Sequence, residues 1–135
     1  HGGTPISWAG PMSNWVKALD KILELDVDIV VPGHGGIADK GAVRDMRGYL
    51  TFVTDETRKR YDKGMSVIEA AFDIALGDYA HWGDAERLMV NVQTLYDDFS
   101  GHQGGRDPIP YFEHMKALRE KLDRDCATGA CGHKH

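Results

Sequence analysis

Apolar residues repeat at helical spacing over most of this chain of 135 residues. Residues 14–25 form an amphipathic pattern, and Ser13 precedes it as a residue type that caps helices. The same spacing predicts four further helices: at about 42–63, at 66–76, from Asp84 and from Pro108. Two start signals support these helices: Asp39 as an N-cap, and the Ser66 and Glu69 pair with capping-box spacing. The pattern therefore predicts a largely helical chain.

One short segment has a different pattern. Residues 27–31, VDIVV, are rich in β-branched side chains and end at Pro32. A continuous apolar run of this kind is typical of a strand that is buried on both faces. A helix followed by a buried strand predicts an α/β fragment whose other strands are absent from this chain. The alternative is that the strand pairs with a second copy in a dimer.

The change of pattern near residue 40 predicts three parts. Residues 1–40, which open with an irregular loop at 1–12, belong to a piece of a sheet-containing domain. Residues 41–124 form a mostly α-helical extension, and residues 125–135 form a disordered tail. The chain begins at His1 and not at Met, and we expect it to be an excerpt of a longer protein.

Composition and charge narrow the function classes. Sixteen basic against twenty-one acidic side chains give a net charge of −5. No strong basic patch is visible, so we expect no nucleic-acid partner. The longest apolar run, residues 29–32, is too short to span a bilayer, and no signal peptide is visible. These features predict a cytoplasmic protein without a membrane partner. Two cysteines do not make a disulfide scaffold.

The segment most indicative of chemistry is Val30-Val31-Pro32-Gly33-His34-Gly35-Gly36. His34 follows the carboxyl end of the predicted strand, where ligand sites of α/β sheets collect. The flanking glycines leave space around an imidazole, which is the commonest transition-metal ligand in proteins. A histidine that only hydrogen-bonds to its own turn is the alternative. The context favours His34 as a metal ligand.

The pattern W-x3-L-x2-I-x6-IVVPGHG, from Trp15 to Gly35, resembles the last third of the metallo-β-lactamase-fold hydrolases. The downstream segments around Gly64–Ala70 and Asn91–Tyr96 resemble the helical extensions of the glyoxalase II-like and cyclase-like branch. The resemblance implies that this chain is the C-terminal part of an αββα sandwich followed by a helical extension. It also implies that His34 ligates the second metal of a two-zinc centre.

The chain departs from that family in one large respect, because the H-x-H-x-D-H motif that builds most of the metal site does not occur in it. A catalytic zinc needs three protein ligands. We therefore expect a parent metallo-hydrolase that acts on a small-molecule substrate, and a chain that is inactive and binds no zinc tightly without the missing N-terminal half. In the parent, paired metals would activate a water for hydrolysis. The alternative is a non-catalytic helical module that binds a partner or forms a homodimer.

Two further sets of residues are candidates. Trp8 and Ile6, in the loop that leads away from the implied metal, are candidates for the substrate-pocket wall. The tail contains four soft or borderline ligands within ten residues: Cys126, Cys131, His133 and His135. Such clusters can bind zinc, but their spacing matches no common closed zinc site. We favour a tail that picks up metal only adventitiously.

Overall fold

The computed structural model of the protein describes residues 3–102 and 109–130, and within them most residues are helical. Helix α1 spans Met12–Glu24, α2 Lys40–Asp62, α3 Val67–Asp73, α4 Leu88–Ser100 and α5 Ile109–Ala127. Two short 3-10 turns, Gly77–His81 and Ala85–Arg87, connect α3 to α4. Helix α2 packs against α1 and α4, and α4 also contacts α3 and α5.

Two of the predicted helix starts are confirmed. The Asp39 carboxylate accepts hydrogen bonds from the backbone amides of Gly41 (2.7 Å) and Ala42 (3.2 Å), and α2 begins at the next residue, Lys40. Ser66 and Glu69 form a reciprocal capping box at the start of α3. In each case a local side chain satisfies amides that the first helical turn leaves free.

Other boundaries differ from the predictions. Helix α1 has Pro11 at its N-cap position and begins at Met12, one residue before the predicted cap Ser13. Helix α3 ends at Asp73 and does not continue to residue 76. Asp84 has a φ of 59°, in the left-handed region, and a 3-10 turn separates it from α4. Asp tolerates this conformation better than most residues, which explains why it occupies a turn here.

The core lies around α4, which packs against α2 on one side and contacts α5 as well. Seven apolar side chains there are no more than 1% exposed: Leu50, Val53, Leu88, Met89, Val92, Leu95 and Leu118. Met12 and Leu19 of α1 are buried in the same cluster. Burial of these side chains supplies the main favourable term in folding. None of the described helices is both long enough and apolar enough to cross a bilayer.

The predicted α/β fold is wrong. Within residues 3–102 and 109–130 the structure contains no β-strand and no sheet. The chain is therefore a helical domain and not the C-terminal part of an αββα sandwich. Residues 27–31 make one isolated bridge, between Val30 and Ala38, and Gly3 makes another with Gly83. The physical reason is that a β-branched run becomes a strand only when neighbouring strands pair with its backbone.

Candidate functional site

His34 lies at the exposed tip of the connection between α1 and α2. Val30 and Ala38 exchange two backbone hydrogen bonds of 2.9 Å, and these close a loop of residues 31–37, which we call the His34 loop. Residues 33–36 form a bend in which Gly35 has a φ of 102°, a value that glycine adopts without strain. The His34 side chain makes no hydrogen bond or ion pair with any residue that the structure describes. The imidazole is therefore available to a ligand.

Apolar side chains flank the His34 loop on its solvent side. Ile29 is 68% exposed, Val31 75% and Ile37 77%, whereas Val30 is partly buried against the helical core. This alternation follows from extended backbone, in which successive side chains point to opposite faces. Three large aliphatic side chains this exposed within nine residues of sequence form an unusual surface, which we call the aliphatic face (Ile29, Val31 and Ile37).

The backbone amides and carbonyls of Ile29 and Val31, beside the aliphatic face, have no hydrogen-bond partners among the described residues. In an antiparallel pair, the residue that exchanges both bonds has its amide and carbonyl directed at its partner, and its neighbours direct theirs away. Val30 is bonded to Ala38 in this way, so Ile29 and Val31 direct their backbone groups to the other side. Neither of these two residues makes a hydrogen bond within the described part of the chain. The segment is therefore an open edge that another strand can extend.

The donors of the described residues do not form a metal centre. No group of three or more His, Cys, Asp or Glu side chains is close enough to hold an ion in residues 3–102 and 109–130. An exposed, unbonded imidazole fits the role of one zinc ligand, but a catalytic zinc needs two more from the protein. Among the described residues His34 is therefore a single donor and not a complete site.

The substrate-pocket candidates Trp8 and Ile6 lie on a different part of the fold. They belong to an irregular segment, residues 4–8, which hydrogen-bonds to α4 and which we call the strap. Trp8 is 51% exposed and its ring lies 6.3 Å from that of Phe112 on α5, whereas Ile6 is half-buried. No hydrogen bond, ion pair or ring contact among the described residues joins the strap to the His34 loop.

Asn91 of α4 holds the strap in place. Its Oδ1 accepts a hydrogen bond from the Ser7 amide (2.9 Å), and its Nδ2 donates to the carbonyl of Pro5 (2.9 Å) and to the hydroxyl of Tyr49 (3.1 Å). One turn later, Thr94 donates through its hydroxyl to the carbonyl of Ser7 (2.5 Å). Asn91 and Tyr49 are fully buried, and this burial raises the pKa of the Tyr49 hydroxyl.

This role of Asn91 was not predicted from the sequence. A signal was present, because Asn91 interrupts an apolar stretch formed by Leu88, Met89, Val90 and Val92. A polar side chain among core positions is normally hydrogen-bonded when buried. Its partners could not be identified, because Pro5 and Ser7 lie more than 80 residues away in the sequence.

The tail candidates are only partly covered by the structure. Cys126 is half-buried in the last turn of α5, while Cys131, His133 and His135 lie outside the described residues. Their possible metal site stays a prediction.

A cavity of about 320 Å³ lies between α5 and the segment that follows α3. Ile74, Leu76 and Leu122 form its apolar lining. Charged groups also line it, but they are paired within the protein: Asp73 with Arg60 (2.8 Å) and Lys121 with Asp125. Because these charges neutralise one another, the cavity has no unpaired charge in this lining to select a ligand.

Comparison with known proteins leaves the family open: no family model, no curated protein and no solved structure matches the chain.

Proposed function

We propose that this chain supplies one metal ligand, His34, to a zinc-dependent hydrolase whose other metal ligands lie on polypeptide beyond this sequence. The observation that supports the proposal best is the position of His34 between exposed aliphatic residues, next to an open backbone edge. The resemblance of residues 15–35 to metallo-β-lactamase-fold hydrolases gives the histidine its role. Within its described residues, the chain contributes His34 as a donor on a helical scaffold.

The aliphatic face indicates that further polypeptide covers this region in the working enzyme. Burying an aliphatic side chain the size of Val or Ile stabilises a protein by about 1.5–3 kcal/mol. Covering all three side chains of this short segment would therefore contribute a large favourable free energy to the contact with a second layer of polypeptide. A polypeptide that covers Ile29, Val31 and Ile37 also comes close to His34, because these residues flank it on both sides.

A second candidate function is homodimerisation through the same edge. The free groups of Ile29 and Val31 could pair antiparallel with those of a second copy, with Val30 of each copy at the twofold axis. Such edge pairing satisfies the backbone but leaves the aliphatic side chains uncovered, because side chains stand perpendicular to a sheet. A partner that offers both a strand and a covering layer explains the surface better, which favours the hydrolase.

The proposal is tested in the full-length gene product with His34→Ala. We expect the variant to lose one zinc equivalent and most hydrolytic activity on a panel of esters, thioesters and phosphodiesters. Its melting temperature in chelator should stay close to that of the wild type, because an exposed loop residue supports no core packing. Zinc is counted by mass spectrometry of the purified protein.

The matched control is His102→Ala, an exposed histidine shortly after the end of α4, which should change neither zinc content nor activity. In the chain of 135 residues alone, zinc titration by calorimetry should show no tight site that depends on His34. A full-length His34→Ala protein that keeps all its zinc and its activity contradicts the proposal.

A further inference from the structure

The strap is held to the helices by polar contacts more than by apolar packing. At its start, the amide of Thr4 donates to the carbonyl of Gly83 (2.7 Å), and Arg87 donates to the carbonyl of Thr4 (2.8 Å). The larger apolar side chains of the strap contribute little burial, because Ile6 is only half-buried and Trp8 is half exposed. Segments with few buried apolar contacts are the ones that open locally while the core stays folded.

Two buried hydroxyl groups of the strap make its position against the helices less favourable. Thr4 and Ser7 are at most 1% exposed, and the oxygens Thr4 Oγ1 and Ser7 Oγ have no hydrogen-bond partner among the described residues. Each hydroxyl would regain hydrogen bonds to water if the strap left the helices. The docked strap therefore has a cost that release removes, whereas its own larger apolar side chains, Ile6 and Trp8, already lie partly in water.

We propose that the strap opens and closes on α4 as one unit, with Asn91 as its latch, while the helical core stays folded. Asn91 binds the backbone of Pro5 and of Ser7 at the same time, so loss of its bonds weakens the attachment of both positions together. Opening moves the indole of Trp8 away from Phe112 and changes the surface that the strap presents. The motion does not depend on a metal at His34, so it is independent of the proposed function.

Amide hydrogen exchange of the whole chain by NMR tests this proposal. We expect the Thr4 and Ser7 amides to exchange at least tenfold faster than the core amides of Leu50 and Val53. Their rates should be insensitive to dilute guanidinium, because strap opening exposes little surface, whereas global unfolding exposes much. Strap amides that share the exchange free energy and the denaturant dependence of the core amides would overturn the proposal.

The variant Asn91→Leu tests the latch, with the Thr4 amide as the reporter. Thr4 is bonded to Gly83 and not to Asn91, so its exchange accelerates only if the strap moves as a unit. We expect the exchange rate of the Thr4 amide to rise at least tenfold more than the exchange rate of the Leu50 amide. Val92→Ala, at the adjacent buried position, is the control and should accelerate the core amides without a larger effect at Thr4.

If Asn91→Leu does not fold, Thr94→Val is the second variant. It removes the hydrogen bond from Thr94 to the Ser7 carbonyl, and it should also raise the exchange rate of the Thr4 amide. If faster exchange is confined to the Ser7 amide, or if the Thr4 and Leu50 amides accelerate equally, Asn91 does not hold the strap as one unit and the proposal is overturned.

Discussion

The Asp98 carboxylate of α4 caps the first amide of α1: its Oδ2 accepts a hydrogen bond of 2.8 Å from the backbone N–H of Met12. The two residues lie 86 positions apart, and Pro11, at the N-cap position itself, provides no side-chain cap. A carboxylate at a helix N-terminus satisfies a free amide and also interacts favourably with the helix dipole. This contact therefore fixes the start of the helix that leads into the His34 loop.

The first prediction concerns Asp98→Ala. Loss of the cap should lower the free energy of unfolding by about 1–2 kcal/mol, the usual range for a helix cap with a favourable charge. Guanidinium denaturation followed by circular dichroism measures this change, and the denaturant slope should stay constant. Asp55→Ala, at an exposed position on α2, is the control and should change the free energy by less than about 0.5 kcal/mol. Equal effects of the two substitutions would contradict the capping role.

The second prediction concerns Gly10, which packs directly against the same carboxylate. A Cβ atom at residue 10 would overlap the side chain of Asp98. Gly10→Ala should therefore destabilise the protein by about 1–3 kcal/mol, the typical cost of overpacking. In the Asp98→Ala background the same change should cost much less, because the overlapping atoms are gone. A double-mutant cycle measures this coupling, and strictly additive effects would show that Gly10 is required for another reason.

Local signals account for what the sequence predicted correctly. Asp39 and the Ser66–Glu69 pair cap helices within three residues of their own position, so their roles can be predicted without knowing the fold. The role of Asp98 could not be predicted in this way, because its partner Met12 becomes adjacent only in the folded chain. Asn91 is missed for the same reason.

The strand prediction failed for a different physical reason. Residues 27–31 have the composition of a buried strand, but strand formation depends on neighbours that this chain does not provide among its described residues. Only Val30 makes a β-type bridge, with Ala38, and the side chains of Ile29 and Val31 on either side of it stay exposed. Of the candidate site, the sequence could indicate His34, but not whether other ligands stand beside it.

The third prediction concerns Thr57, whose hydroxyl is fully buried on α2 and has no hydrogen-bond partner among the described residues. Thr57→Val replaces that hydroxyl by a methyl group of similar size, so we expect the free energy of unfolding to rise by about 1 kcal/mol. Thr54→Val is the matched control, because the Thr54 hydroxyl donates to the carbonyl of Leu50 (2.7 Å) and its removal should give no such gain. A destabilised Thr57→Val protein would indicate an ordered water at this hydroxyl.

The fourth prediction concerns pH. Hydrogen bonds from Lys59 (2.5 Å) and Arg60 (2.8 Å) hold the pKa of Glu56 below its ordinary value of 4.5. The folded protein thus binds this proton less tightly than the unfolded chain does. The stabilisation from Glu56 is therefore complete above pH 4.5 and is lost as the pH falls through the lower pKa of the folded state.

Glu56→Gln should accordingly melt at a lower temperature than the wild type at pH 7, and the difference should shrink as the pH falls below the ordinary pKa of 4.5. Thermal denaturation across this range measures the effect, with Glu120→Gln at an exposed position of α5 as the control. A difference in melting temperature that stays constant with pH would show that the Glu56 charge is not involved.

The fifth prediction concerns the aliphatic face. In the chain of 135 residues, a triple change of Ile29, Val31 and Ile37 to Thr should alter the free energy of unfolding by less than about 1 kcal/mol, because these side chains already lie in water. The same change should reduce self-association, measured by light scattering, because it removes the exposed apolar surface. Val30→Thr is the control on the same segment, and it should lower stability because Val30 packs against the core.

If this chain is part of a longer hydrolase, as we propose, that protein should respond to the triple change in the opposite way. If further polypeptide covers Ile29, Val31 and Ile37, replacing them weakens that contact, so the protein should become less stable and lose zinc together with activity. His34→Ala removes only the donor and should lose zinc with its stability in chelator intact. The two variants thus separate the covering contact from the ligand. A triple variant with unchanged stability and full zinc content would show that this face stays in water, and that His34 is not brought to a metal centre by a partner that docks on it.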